Sequence, residues 1–478
     1  YIICGKNEII ELKPYAYQQN KSGDIIPVDC KFVLKGKNVY LNFGTYDKNL
    51  PLIIDPTLVF CSYSGSYVDN WGYTSTYDNE GNLYGGSSVF GISYPGFPTT
   101  TGAYQITYGG GSEDIGISKF NSTGSTLLYS TYLGGNGSEV PHSLIVNDNN
   151  ELYVLASTSS SNFPVTSNAF DTSFNGGSNF TLTNVIQYLT GSDIVITKFN
   201  VNGTQLLGST YFGGSGNDGL STDTRLRKNY ADEVRGEIMI DEFSNVYIVS
   251  STNSSNLPTT SGSFQPTYGG GNQDGCVAKF NYDLSNLIWA SYLGGDSSDA
   301  IYSMALDNNY NLVVCGGTYS RNLPTTLGCL QTAYAGGASD GFIFKISTNG
   351  NQILQSTYLG KSTFDQAYLI KLDRQNDVYV MGLTDATGML WIQNATWYNS
   401  GGGQFISKIS SDLSQIIWST AFGSGRIGPD ISPTALMVDL CKCIYISGWG
   451  SPKVNAHVGN TNCGTSGLPI SVDAFQTT

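Results

Sequence analysis

Short runs in which apolar and polar residues alternate dominate this chain, and they come in sets of four. In one set they fall near 301–307, 311–319, 341–347 and 352–359, bounded by turns rich in Gly, Asn and Asp. Alternation with a period of two puts successive side chains on opposite faces, so each run predicts a short β-strand. No segment sustains the apolar period of roughly 3.6 residues that marks an amphipathic helix.

The sets themselves repeat. Asp78-Asn-Glu-Gly-Asn-Leu-Tyr84 returns at Asn147–Tyr153, Asp241–Tyr247, Asp307–Val313, Asp373–Tyr379 and Asp439–Tyr445, so the last positions are spaced by 69, 94, 66, 66 and 66 residues. Three further marks keep phase with most of them. A Phe/Leu-Pro-Thr-Thr turn precedes a small-aromatic-Gln step, as in Phe97-Pro98 then Ala103-Tyr104-Gln105, and Leu257-Pro258 then Ser263-Phe264-Gln265. A glycine cluster leads to an alternating strand from Asp to Lys, at 114–119, 193–198, 274–279 and 340–345. A Ser-Thr-Tyr-Leu-Gly-Gly end closes the unit, as at Ser130–Gly135 and Ser209–Gly214. Four short strands with Gly-rich turns, repeated radially, describe the blade of a propeller.

The expected fold is therefore all-β: a β-propeller of four-stranded blades, six units visible and six or seven blades in the ring, preceded by a small β module. Residues 1–56 form the module, or the tail of one, with strand-like runs at Ile9–Tyr17, Cys30–Leu34, Val39–Phe43 and Pro51–Ile54. Residues 57–478 form the propeller: an orphan strand at 57–65, blades at 66–135, 136–214, 215–295, 296–361 and 362–424, and an incomplete unit at 425–478. The orphan aligns with a fourth strand, which is what a ring closed by an N-terminal strand requires. Insertions lengthen the second unit around 174–190 and the third around 217–236. Arg225, Arg227, Lys228 and Arg235 concentrate positive charge in the latter, which reads as a tolerated surface excursion or as a binding loop.

Together these motifs, Asp-x-x-x-Asn-x-Tyr, Phe-Pro-Thr-Thr, Gly-Gly-x-x-Asp-x-x-x-x-Lys-Phe and Ser-Thr-Tyr-Leu-Gly-Gly, resemble the SBBP beta-propeller repeat over residues 57–478. The stretch from Ile10 to Pro56 looks like the end of the uncharacterised domain that precedes such repeats in Bacteroidetes surface proteins. The resemblance implies a secreted, modular, extracellular cell-surface protein of the type IX-exported, gliding-motility-associated kind. The family has no agreed enzymatic activity. The fifth unit departs from the pattern by lacking Phe-Pro-Thr-Thr and Tyr-Leu-Gly-Gly.

Composition narrows the function. Lys plus Arg is 23 against Asp plus Glu 37, a net charge of −14, which repels phosphate backbones and anionic lipid head groups. Nucleic acid and direct membrane insertion are therefore not expected as partners, and no apolar run is long enough to span a bilayer. The 32 Tyr, 21 Phe and 6 Trp supply ample surface to bury. The chain opens on Tyr-Ile-Ile-Cys-Gly, so it reads as a processed form or a fragment. Its nine cysteines match no zinc module. Cys276, Cys315 and Cys329 occupy slots that other units fill with small or apolar residues and read as buried free thiols, while Cys4 with Cys30 and Cys463 with Cys441 or Cys443 are candidate bridges.

The acids that follow the Gly-Gly marks are the candidate site. Asp69, Glu139, Asp218, Asp299, Asp365 and Asp430 fall at matching places and would ring one mouth of a central channel. Such a ring suits a hard cation such as calcium; alternatively each acid caps turn amides and orients neighbouring blades. The Asp78-type residues read as Asx turns, and Lys119, Lys198, Lys279, Lys345 and Lys408 as solvated guards against edge pairing. With only His142 and His457 as histidine bases and no nucleophile signature, no catalytic residue stands out. The expected function is a non-enzymatic surface protein, a propeller scaffold for adhesion, surface or filament assembly or gliding-associated interaction, with carbohydrate or calcium as ligand and with other surface proteins, its own copies or polysaccharide as partners. The alternative is a propeller-fold glycan hydrolase or lyase.

Overall fold

The computed structural model of the protein describes residues 2–4, 7–9, 15–20, 25–35, 38–50, 52–55, 65–91, 96–182, 185–228, 230–426, 428–439, 442–450 and 467–468. The chain divides into an N-terminal unit within residues 1–62 and a large unit spanning 63–469.

In the N-terminal unit, Tyr15–Gln19 pairs antiparallel with both Ile25–Val28 and Ile53–Asp55, and Cys30–Lys35 pairs with Asn38–Phe43. Ala16, Val28 and Cys30 form its buried core. Gln18 stitches the unit internally: its amide donates to Asp47 O at 2.6 Å and accepts from Asp47 N at 2.7 Å.

Among the described residues the large unit holds five successive four-stranded antiparallel sheets with strands in chain order, followed by the pair Ser432–Val438 and Ile444–Trp449. The fourth sheet holds Asp299–Leu306, Leu312–Thr318, Asp340–Ile346 and Ile353–Leu359. First strands of consecutive sheets pack against one another, so they are the innermost strands around an axis and the sheets are propeller blades. Side-chain links knit this inner ring: Thr74 accepts from Leu144 N at 3.2 Å, Glu237 from Met304 N at 2.7 Å and Ser303 from Ile370 N at 3.2 Å. The orphan strand and the third and fourth strands of the last unit lie outside the described residues, as do Cys441 and Cys463 of the candidate cysteine bridges.

Physical roles explain why the motifs repeat. In Ser-Thr-Tyr-Leu-Gly-Gly the tyrosine ring is buried and its hydroxyl takes an N–H from the Phe/Leu-Pro turn: Tyr132 from Phe97, Tyr211 from Phe163, Tyr292 from Leu257, Tyr358 from Leu323, all at 2.8–3.1 Å. The serine N–H bonds the second threonine of that turn, Ser130 to Thr100 at 3.0 Å and Ser356 to Thr326 at 3.0 Å. The fifth blade lacks this turn, and Trp391 fills the place: it stacks on Phe405 at 3.8 Å and donates to Thr384 at 2.9 Å. Cys276 and Cys315 are buried free thiols and Cys329 is half-buried.

Two sequence readings are corrected here. The repeated lysines are not solvated guards, because they sit on the third strand of each sheet rather than an edge. Lys119, Lys198, Lys279 and Lys408 are buried and Lys345 is nearly so, each paired with an acid of the Asp78-type turn. Nor is the third-unit insertion a surface excursion. Asp218 bridges Thr252 as Asp299 bridges Thr318, and pairing resumes at Glu237 opposite Val249, so residues 219–236 replace the bulge that other first strands carry. They fold inward. Leu220 and Val234 bury against Val140 and the second-unit hairpin Phe180–Leu182/Ile186–Tyr188, and Leu226 buries against Tyr302 and Tyr368 of the fourth and fifth blades. The insertion is a plug near the axis.

Candidate functional site

The plug consumes its own charge. Arg227 pairs with Glu233, Arg235 with Asp232 at 2.7 Å and Arg225 with Asp223 at 2.6 Å, while Lys228 reaches Asp385 of the fifth blade at 3.0 Å. Arg235 lies over the Tyr368 ring and donates to Pro433 O at 3.1 Å. No basic patch is left for an anionic partner from these four residues.

The predicted acids occupy blade seams. Glu139, Asp218, Asp299 and Asp365 each open a first strand with no exposed surface. Each accepts the amide just after the glycine mark, at 3.2 Å for Gly135 and 2.7 Å for Gly214, Gly295 and Lys361. Each also takes hydroxyls from the neighbouring strand: Thr158 and Ser160 bond Glu139, Thr252 and Ser254 bond Asp218. Asp430, also buried, accepts from Ser424 N at 2.6 Å and pairs with Arg426 at 3.0 Å. Asp69 is exposed, and its carbonyl takes the Phe90 amide. Among the described residues no group of three or more His, Cys, Asp or Glu side chains forms a metal-holding cluster.

The seam has a second member that sequence reasoning saw only as a strand mark. Asp114, Asp193, Asp274 and Asp340 open the third strands of the first four blades, also without exposed surface. A β-carbon added to Gly134 would sit 2.6 Å from Asp114 Oδ1 and 2.5 Å from Glu139 Oε2, and one on Gly213 2.5 Å from Asp193 Oδ1 and 2.9 Å from Asp218 Oδ2. The two carboxyls of each of the first three seams meet over a glycine that must stay bare. Desolvation first, then the opposing carboxyl, pushes Asp114 upward, while in Asp193 and Asp274 burial drives the carboxyl up to about 8.

Beside the first seam lies a cleft of 540 Å³ lined by Ser112, Asn136, Phe174, Gln187, Leu189 and Thr190, with glycine backbone between them and no charged side chain. Loops of the first two blades and the second-unit insertion build it. Ser112 is followed by Glu113, a buried acid where the other blades carry Ser192, Gln273, Ser339 and Gly403. Burial, then Glu139 and Asp114, push its carboxyl up to about 9, so it holds a proton at neutral pH. Sequence reasoning missed Glu113, although its break with the repeat was the available signal. Behind it, His142 and Tyr188 both bond the Ser157 hydroxyl, at 3.2 and 2.7 Å, and burial holds the imidazole neutral, down to about 3.

The sequence profile of a Domain of unknown function (DUF7948) matches residues 2–57, where an uncharacterised domain was expected. No curated protein matches the sequence. Among solved structures the chain is similar to NanB sialidase from Streptococcus pneumoniae, in its K499G mutant, at 9% identity over 90% of this chain and 81% of that one, TM-score 0.42. It is similar to a PL25 ulvan lyase bound to its saccharide, at 9% identity over 78% of each chain, TM-score 0.38. It is also similar to PorZ of Porphyromonas gingivalis, a surface component of the type-IX secretion system, at 13% identity over 90% of this chain and 53% of that one, TM-score 0.31. At these identities the likeness concerns the fold. The expectation of a non-enzymatic scaffold is not carried forward: the similar structures include sialidases and a polysaccharide lyase, in line with its alternative. Among the described residues no helix is long and apolar enough to cross a membrane.

Proposed function

We propose that this protein is a propeller-fold glycan hydrolase or lyase acting outside the cell, with the cleft beside the first seam as the place where polysaccharide lies. The cleft carries the reading: hydroxyls and amides from Ser112, Asn136, Gln187 and Thr190 suit sugar hydroxyls, and Phe174 with Leu189 suits a sugar's apolar face. The exterior location is supported by the repeat's resemblance to surface proteins, and protease shaving of intact cells tests it.

The activity test offers the purified chain a panel of neutral and uronate-containing polysaccharides, scoring new reducing ends for hydrolysis and unsaturated ends for elimination. Phe174→Ala should raise KM. Absence of both turnover and binding across the whole panel would sink the proposal.

A further inference from the structure

The blade seams hold a second piece of chemistry. Three times, two buried carboxyls face each other over a glycine, Asp114 with Glu139, Asp193 with Asp218 and Asp274 with Asp299; at the fourth seam buried Asp340 packs on Gly360 and feels the charge of buried Asp365. Two carboxylates so placed repel one another and cannot both stay ionised without a counter-charge. The surroundings are donors rather than cation ligands: Gly109 N at 2.5 Å on Asp114, Gly269 N at 2.6 Å on Asp274, and Gly295 N and the Ser320 hydroxyl at 2.7 Å on Asp299. Backbone N–H groups have no lone pair for a cation, and they stand where a hard cation would collect carbonyl, carboxylate or water oxygens. In Asp114, Asp274 and Asp340 the oxygen left without a donor is Oδ1, the atom that in the first seam faces the partner carboxyl.

The fifth seam supplies an internal comparison. There Gln404 opens the third strand in the aspartate's place, and its amide and Asp430 Oδ2 meet over Gly423 at 2.8 and 2.5 Å from an added β-carbon. Oriented to satisfy its neighbours, Gln404 donates to Phe422 O at 3.0 Å and accepts from the Asp430 amide. A side chain that never ionises occupies at this seam the place the aspartate takes at the others.

We propose that each of the first four seams is closed by one shared proton, a neutral carboxyl of the third strand donating to the carboxylate that opens the next blade. The propeller ring is then locked by protonation at four of its joints. At the third seam the facing titratable groups are Tyr268, Tyr292, Tyr358 and Cys276, all themselves driven upward by burial, and the carboxylate of Asp296; no cation is among them. The fourth seam also has Lys361 nearby, which opposes the rise. Because the folded carboxyl values lie above the unfolded 3.8, the stabilisation is complete below 3.8 and is lost as pH rises through about 8 at Asp274.

Thermal melts of the whole chain across that range test this. The melting temperature of the native sequence should fall as pH rises, and Asp274→Asn, an amide that mimics the neutral acid as Gln404 does, should flatten part of that fall. An unchanged slope in the variant overturns the proposal. Should the variant fail to fold, proton uptake on refolding the native chain near neutral pH decides: uptake beyond the one proton that Glu113 binds supports the shared protons, and uptake of one proton or none overturns them. Bound divalent metal with a chelator-sensitive melt would replace the proton by a cation and overturn the proposal too.

Discussion

Lys119 Nζ lies 3.0 Å from Asp78 Oδ2, with 6% and 0% of the two side chains exposed, and 4.7 Å from the centre of the Tyr84 ring. The same turn-to-strand pair recurs as Lys198–Glu151 at 2.8 Å, Lys279–Asp241 at 3.2 Å, Lys345–Asp307 at 2.9 Å and Lys408–Asp373 at 2.9 Å. Lys119→Met strands a buried carboxylate, so unfolding in urea should show a loss of about 3 kcal/mol. The double variant Lys119→Met/Asp78→Asn should recover much of it. Equal losses in single and double variants would deny the pair its role.

These turn aspartates set the acid limit of stability. Burial raises their carboxyls, but the Asn82 side chain and Lys119 at Asp78, and the equivalent groups at Asp241, Asp307 and Asp373, outweigh it and hold all four below 3.8. Their stabilisation is present above 3.8 and is lost as pH falls through the lowered folded values. The melting temperature should therefore drop on acidification below 3.8, and Asp307→Asn should soften the drop. This limb has the opposite sign to the one expected from the seams.

Tyr292 bonds Leu257 N and Ser254 O, each at 2.8 Å, with its ring buried. Tyr292→Phe leaves that buried N–H without its partner and should cost about 1–3 kcal/mol in chemical unfolding. Tyr67, 77% exposed, is the control, and Tyr67→Phe should stay within about 0.5 kcal/mol.

In the plug, Arg235 and Arg225 carry the same charge in unequal settings. Arg235→Ala leaves Asp232, wholly buried, without its guanidinium and should destabilise by about 3–5 kcal/mol. Arg225 is half exposed, and buried Asp223 keeps the Arg225 backbone N–H at 3.0 Å, so alanine at Arg225 should cost less than alanine at Arg235. Differential scanning calorimetry of the two variants separates them, and similar losses would mean that the plug contributes little to the ring.

Much of the fold was legible because a blade is a local object. Its four strands are consecutive, so alternation and Gly, Asn and Asp turns reveal them, and the fourth set expected near 301–307, 311–319, 341–347 and 352–359 forms at Asp299–Leu306, Leu312–Thr318, Asp340–Ile346 and Ile353–Leu359. The Asx-turn reading of Asp78 matches its bonds to Glu80 N and Asn82 N at 3.1 and 2.9 Å. The lysines were misread because alternation does not tell a third strand from an edge. Of the candidate site, the acids were visible as a repeated mark, yet that Asp114 faces Glu139 depends on how one blade leans on the next. Glu113 was hidden by attention to what repeats.

What the sequence by itself determined is the set of interactions that close within one blade: strand alternation, the Asp-x-x-x-Asn turn and the tyrosine that pins the Pro-Thr-Thr loop. Those contacts join residues a few tens of positions apart, and the 66-residue period records them. Only the tertiary structure decided the rest. Whether residues 219–236 project outward or plug the axis, and whether two acids 25 positions apart, such as Asp193 and Asp218, end up carboxyl to carboxyl, depends on the stacking of whole sheets. Burial there changes the chemistry of the groups: the same aspartate that would be a solvated anion on a loop becomes, between two blades, an acid that keeps its proton.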